Sequence, residues 1–190
     1  MRSGWLLIGF LLNFSFPVGD ITVLPVLGFS LMLFAVMRME KLESAFRRVR
    51  YSLYVAIPIA AVMLALQIVS AVKGDAVGTW YAPVYLAVRV ACELAEYTAM
   101  IFFYVGIKIM GTNAEVPQLE KQSSRNMTMM AVYAIFFTVI TLMRYFVPGS
   151  FVGFEVVIVY PFALGYIWRA LNVYTAYTLM TKIQVSVQNE

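Results

Sequence analysis

An apolar stretch from Val84 to Met110 carries Arg89, Glu93 and Glu96 inside it, and no other feature limits this chain's fold so sharply. The three residues stand at i, i+4 and i+7, so a helix sets them along one face. A charge near the middle of a membrane costs about 2.5–3.5 kcal/mol on insertion scales, while each strong apolar neighbour returns about 0.3–0.6 kcal/mol. Alone, such a helix is a marginal span. Its charged face therefore has to meet protein, water or a solute.

The rest of the chain makes a membrane the natural setting. Of 190 residues 62% are hydrophobic, mean hydropathy is +0.82, and the apolar runs are too long and numerous for a soluble core. No polar stretch is long enough for a second domain, so residues 1–190 read as one transmembrane unit. There is no histidine, and Cys92 is the single cysteine. That removes disulfides, Cys/His zinc sites, His-ligated haem and every Ser–His or Cys–His nucleophile pair. No metal or cofactor is expected. Phosphate-binding glycine loops and nucleophile elbows are also missing, and nothing supports a nucleic-acid partner. Asn126-Met127-Thr128 matches a glycosylation triplet on the side read as cytoplasmic, where it carries no meaning.

Six apolar segments can be read, at about 5–16, 21–37, 52–72, 83–109, 129–147 and 153–181. The polar connections include residues 38–51 and 111–128. Lys and Arg sort between the two sides. One side holds Arg2, Arg38, Lys41, Arg47, Arg48, Arg50, Lys108, Lys121, Arg125 and Lys182, and the other holds only Lys73. The positive-inside rule then places both termini in the cytoplasm, and topology accounts for the net charge of +4. The first segment is short: twelve residues of helix reach about 18 Å, against a hydrocarbon core of about 30 Å. With Pro17, Asp20 and Pro25 close by, it reads as a tilted hairpin with the second segment or as a re-entrant loop. Ser15-Phe16-Pro17 offers no small-x-small cleavage site, so the segment is read as retained rather than as a signal peptide.

Within residues 38–51, Leu42, Phe46 and Val49 fall at helical spacing and Glu43 precedes Arg47 by four. This loop reads either as a surface helix that docks lipid or a partner, or as a topology determinant with a solvated face. Trp80-Tyr81, Tyr145-Phe146 and Tyr51 with Tyr54 fall at the expected interfaces, as an aromatic belt.

Depth along the helices supplies partners for the interior charges. Counted from the outer side near Tyr81, Arg89 lies about 12 Å down, Glu93 about 18 Å and Glu96 about 22 Å. Arg169 on the last segment lies about 25 Å down, level with Glu96, with Asn172 one turn further on the same face. The expected pairs are Arg89–Glu93 within one helix, Glu96–Arg169 between helices, and Arg144–Glu155 at the outer rim, where Asp20 can join. Ala87, Ala91, Ala95 and Ala99 form a small-xxx-small ridge, as do Ala56 with Ala60 and Ala61 with Ala65. Such ridges let helices approach closely, within the chain or in a partner membrane protein. Pro58 and Pro161 inside spans imply kinks and freed carbonyls.

The stretch from Gly19 to Phe29, Gly-Asp-Ile-Thr-Val-Leu-Pro-Val-Leu-Gly-Phe, resembles the opening of small uncharacterised multi-spanning membrane proteins of Gram-positive bacteria. In that group an Asp-Ile-Leu-Pro-Asp run precedes a Gly-Tyr pair; here Val26 stands where a second Asp is expected. The resemblance covers about the first fifth of the chain, carries no known activity, and implies a bacterial cell membrane. Size and span count also look like the substrate-capture subunits of energy-coupling-factor transporters. Those subunits bear alanine ridges on their first helix, whereas here the ridges lie on the third and fourth segments.

The expectation is therefore an all-α polytopic bundle in the lipid bilayer, non-enzymatic, with two readings of its charged face. In the first, Arg89, Glu93, Glu96, Arg169 and Asn172 line a cavity that takes a small polar solute, or a glutamate carries a proton. In the second, the same residues form a satisfied network that fixes helix register or supports a protein partner. An acid–base enzyme built on Glu93 and Glu96 is a third possibility that lacks an evident nucleophile.

Overall fold

The structure is a computed structural model that describes residues 8–9, 24–41, 43–74, 78–147, 164–165, 168 and 171. Every regular element among them is helical. Helix α1 spans Leu24–Met39, a 3₁₀ turn spans Ser44–Phe46, and α2 spans Arg47–Lys73. Helix α3 spans Tyr81–Asn113 and α4 spans Pro117–Phe146. Each packs on its neighbour in sequence: α1 on α2, α2 on α3 and α3 on α4. Three stretches are long and apolar enough to cross a membrane, namely Ser44–Lys73, Tyr81–Asn113 and Pro117–Met143; Pro25–Met39 is a shorter apolar helix.

The buried stripes explain the packing. On α2 they are Val49, Leu53, Ala56, Ala60, Met63 and Gln67, alternating steps of four and three as a coiled-coil seam does. On α4 they are Leu119, Ser123, Asn126, Met130 and Tyr133, on the same rhythm, with Thr141 two turns further on. Helix α3 lies between the two and is buried from Cys92 to Gly111, with Ala99, Met100 and Phe103 fully enclosed. Its first three turns, Tyr81 to Val90, contain no buried residue. The described helices are thus packed tightly at the end where Arg38, Arg47, Lys108 and Lys121 gather, and less closely at the Tyr81 end.

Two connections differ from the sequence reading. The stretch 111–128, expected as a polar loop, is mostly helix: α3 runs to Asn113 and α4 begins at Pro117. The turn between them is a Schellman motif. Val116 N–H donates to Gly111 O at 2.9 Å and Glu115 N–H to Thr112 O at 3.2 Å, with Glu115 at a left-handed φ of 55°. Pro117 then occupies the first helical turn, where its missing N–H costs nothing. Low hydropathy hid the helix, because after Leu119 its next buried positions are the polar Ser123 and Asn126. Asn126 is only 2% exposed, so the acceptor asparagine of the glycosylation triplet is buried in a helix.

Residues 38–51 likewise form no surface helix. The chain turns at Glu40 and Lys41 and restarts through the 3₁₀ turn, and both Phe46 and Val49 are fully buried. Glu43 caps that turn by accepting from Ala45 N at 3.2 Å, and also accepts from Asn113 Nδ2 at 3.1 Å. Arg47 pairs with Glu40 at 3.1 Å rather than with Glu43, and Arg50 reaches the same carboxylate at 2.7 Å. The apolar spacing that suggested membrane docking instead anchors α2 to α3.

The alanine ridges are only partly used. Ala56 and Ala60 are buried at the α2 seam and Ala99 in the α3 core, whereas Ala61, Ala65 and Ala87 are exposed. A four-residue repeat rotates by about 40° per step on an α-helix, so four alanines cannot all face one neighbour. Pro58 sits on the exposed side of α2, which continues through it. Near the first expected segment, helical Gly9 lies against α1: a Cβ there would come within 2.8 Å of Met32 Cγ and 2.9 Å of Gly28 O. Whether that segment spans or re-enters lies outside the described residues, as does Pro161.

Candidate functional site

The antiparallel contact of α3 and α4 keeps one register over several turns. Tyr97 stacks on Phe137 at 6.3 Å between ring centroids, and four residues away on each helix Glu93 meets Thr141. Glu93 is the hub. Its Oε1 lies 3.3 Å from Arg89 Nε, one turn earlier on α3. The Thr141 hydroxyl lies 3.0 Å from each carboxylate oxygen and donates its single proton to the pair. Thr141 is buried, while the side chains of Arg89 and Glu93 keep 36% and 22% of their surface. A polar staple therefore joins two apolar helices beside the part of the bundle that is not closed.

Above this staple, toward the Tyr81 end, lies a half-open cleft of about 290 Å³ between α3 and α4. Tyr81, Ala82, Tyr85, Leu86 and Arg89 line it from α3, and Thr141 and Tyr145 from α4. Two of the tyrosines are held in place from behind. Tyr81 donates its hydroxyl to Leu66 O at 3.1 Å, and Tyr85 accepts from the buried Gln67 Nε2 at 3.2 Å, so α2 fixes both rings. The rings stack at 5.7 Å, 16° from parallel. The result is a wall of fixed aromatic surface with a guanidinium at its base.

The other expected site residues fall differently. Glu96 is half-buried on α3, one turn further in, and does not line the cleft. Arg144 belongs to α4, but its side chain lies outside the described residues, as do Asp20, Glu155, Arg169 and Asn172. The pairs Glu96–Arg169 and Arg144–Glu155 thus fall outside the described structure. The last expected segment contributes Gly165, placed where a Cβ would collide with the Tyr133 hydroxyl, while Leu164, Trp168 and Leu171 are exposed.

Thr141, Gln67 and the tyrosine wall were not singled out from sequence. Gln67 and Thr141 do carry a signal, since each is a polar side chain in an apolar helix that must find a partner. Tyr81 and Tyr145 read in sequence as an aromatic belt, which composition cannot separate from a cleft lining. Compared with protein-family models, curated proteins and solved structures, the chain matches none.

Proposed function

We propose that this is a non-enzymatic, multi-pass protein of a bacterial cell membrane that binds, and thereby captures or transports, a small polar solute in the cleft between α3 and α4. The observation that carries the reading is the coincidence of a cleft of about 290 Å³ with intramembrane charge at Arg89 and Glu93. Ionisable groups within membrane spans mark solute or proton pathways by default. On the positive-inside rule the basic end faces the cytoplasm, so the cleft opens outward. Its volume lies near the lower limit of small-molecule sites. Glu93 is engaged by both Arg89 and Thr141, which supports a binding role over acid–base chemistry.

The same engagement favours a second reading, in which the staple only fixes helix register. The two separate on one variant. Ala82 is exposed at the cleft and away from the core, so Ala82→Trp fills the cleft and leaves the staple intact. Wild type is screened against a panel of polar metabolites by thermal shift in detergent. A metabolite that stabilises wild type is expected to lose at least tenfold in affinity in Ala82→Trp, with the melting temperature of the free protein little changed. Binding that survives the bulky side chain places the solute elsewhere, and the staple reading then stands.

A further inference from the structure

The cleft's chemistry is asymmetric. Among the described residues its lining includes one charged group, the Arg89 guanidinium, and Glu93 holds that group without lining the cleft itself. A guanidinium carries five N–H donors. Among the described residues only the Nε donor has a partner, Glu93 Oε1. The terminal nitrogens form the planar fork that suits a carboxylate in two parallel bonds. Around that fork the surface is aromatic and aliphatic: the fixed rings of Tyr81 and Tyr85, then Tyr145 and Leu86. The Tyr81 hydroxyl donates to α2 and the Tyr85 oxygen accepts from it, so both rings are fixed and what they bring to the cleft is mainly ring surface.

A cationic solute would bring its charge to a site whose exposed charge, among the described residues, is Arg89. A polyanion would find one cation among them, itself half-compensated by Glu93. A large solute exceeds the volume. We propose that the solute is a small monocarboxylate with a compact apolar or aromatic body, its carboxylate on the Arg89 terminal nitrogens and its body against the tyrosine wall. This rests on the solute-binding reading above and narrows it to one chemical class. The part of Glu93 and Thr141 is indirect: they hold Arg89 by its Nε and so aim the other donors into the cleft.

A matched trio with one body tests the class: 3-phenylpropanoate, 3-phenylpropanamide and 3-phenylpropylamine, titrated calorimetrically into the purified protein in nanodiscs. The acid is expected to bind at least tenfold tighter than the amide, and the amine weakest. Ala82→Trp should abolish the specific component for all three, which separates cleft binding from partition into lipid. Arg89→Gln alone strands Glu93, so the charge test is Arg89→Gln with Glu93→Gln, a neutral pair that keeps the helix contact. This double variant should fold, retain the amide's affinity and lose the acid's preference. Equal binding of acid and amide, or tightest binding of the amine, overturns the proposed class. If Ala82→Trp still blocks that binding, the solute-site reading survives without it. If none of the three binds wild type, the class also falls, and the metabolite panel decides the broader reading independently.

Discussion

Phe46→Ala lowers the unfolding free energy by about 3 kcal/mol, the range found when a large buried ring is deleted and the cavity does not collapse. Phe46 is completely enclosed at the start of α2, 6.0 Å from the Phe103 ring of α3. It sits directly over Gly106, where a Cβ would come within 2.7 Å of Phe46 Cε1. The glycine is thus the recess that lets a phenyl ring reach the α3 backbone. Gly106→Ala overpacks the same place and is expected to cost about 1–3 kcal/mol, because Phe103 limits how far the ring can retreat. Combining the two should cost clearly less than the sum, since the new methyl occupies part of the space that the ring has left. Reversible unfolding in mixed micelles, read by tryptophan fluorescence, measures the three variants. Strict additivity would show that the two residues do not touch in the folded protein.

The second large effect concerns the staple. Glu93→Leu removes the carboxylate that holds Arg89 Nε at 3.3 Å and accepts from Thr141 at 3.0 Å. What remains, among the described residues, is a guanidinium with no counter-charge beside it in an apolar span. The cost of one uncompensated charge is about 2.5–3.5 kcal/mol at the centre of a bilayer, and the cleft's partial access to water lowers it toward about 2 kcal/mol. Arg89→Leu is expected to be milder, because Glu93 keeps the Thr141 hydroxyl. Arg89→Leu with Glu93→Leu should recover most of the loss, as is found when both members of a buried pair are replaced by apolar residues. A double variant as unstable as Glu93→Leu alone would mean that the stranded guanidinium is not the source of the loss.

The residues explain why some of this was legible in sequence and some was not. Helix existence in the second to fifth segments follows from local hydropathy, and Arg89–Glu93 follows from a spacing of four on one helix. Both depend only on neighbours in sequence. Thr141 lies 48 residues from Glu93, and its role depends on the α3–α4 register, which aromatic contacts such as Tyr97–Phe137 accompany. Residues 117–128 were misread because a helix that extends beyond the hydrocarbon core keeps its period but loses its hydropathy. The docking reading of residues 38–51 fails for the opposite reason: Phe46 and Val49 do repeat as on a helix, yet the face they mark packs inward. The cleft is the least legible feature. It arises because the first turns of α3 are left open among the described helices, a consequence of how three helices diverge rather than of any motif.

The central claim is that the cleft above Arg89 is open to water-soluble molecules. In a Cys92→Ala background, single cysteines at Leu86, which lines the cleft, and at Ile135, which is 68% exposed on the outer face of α4, separate the alternatives. A hydrophilic thiol reagent needs a wet approach to form thiolate and react, which lipid does not provide. Applied to the protein in lipid vesicles, it is expected to modify Leu86→Cys at least tenfold faster than Ile135→Cys, although Ile135 is geometrically the more exposed. A bound solute should slow the first rate alone. Equal inertness at both positions would contradict the account: the cleft would then be dry, and Arg89, Glu93 and Thr141 would serve only to hold α3 against α4.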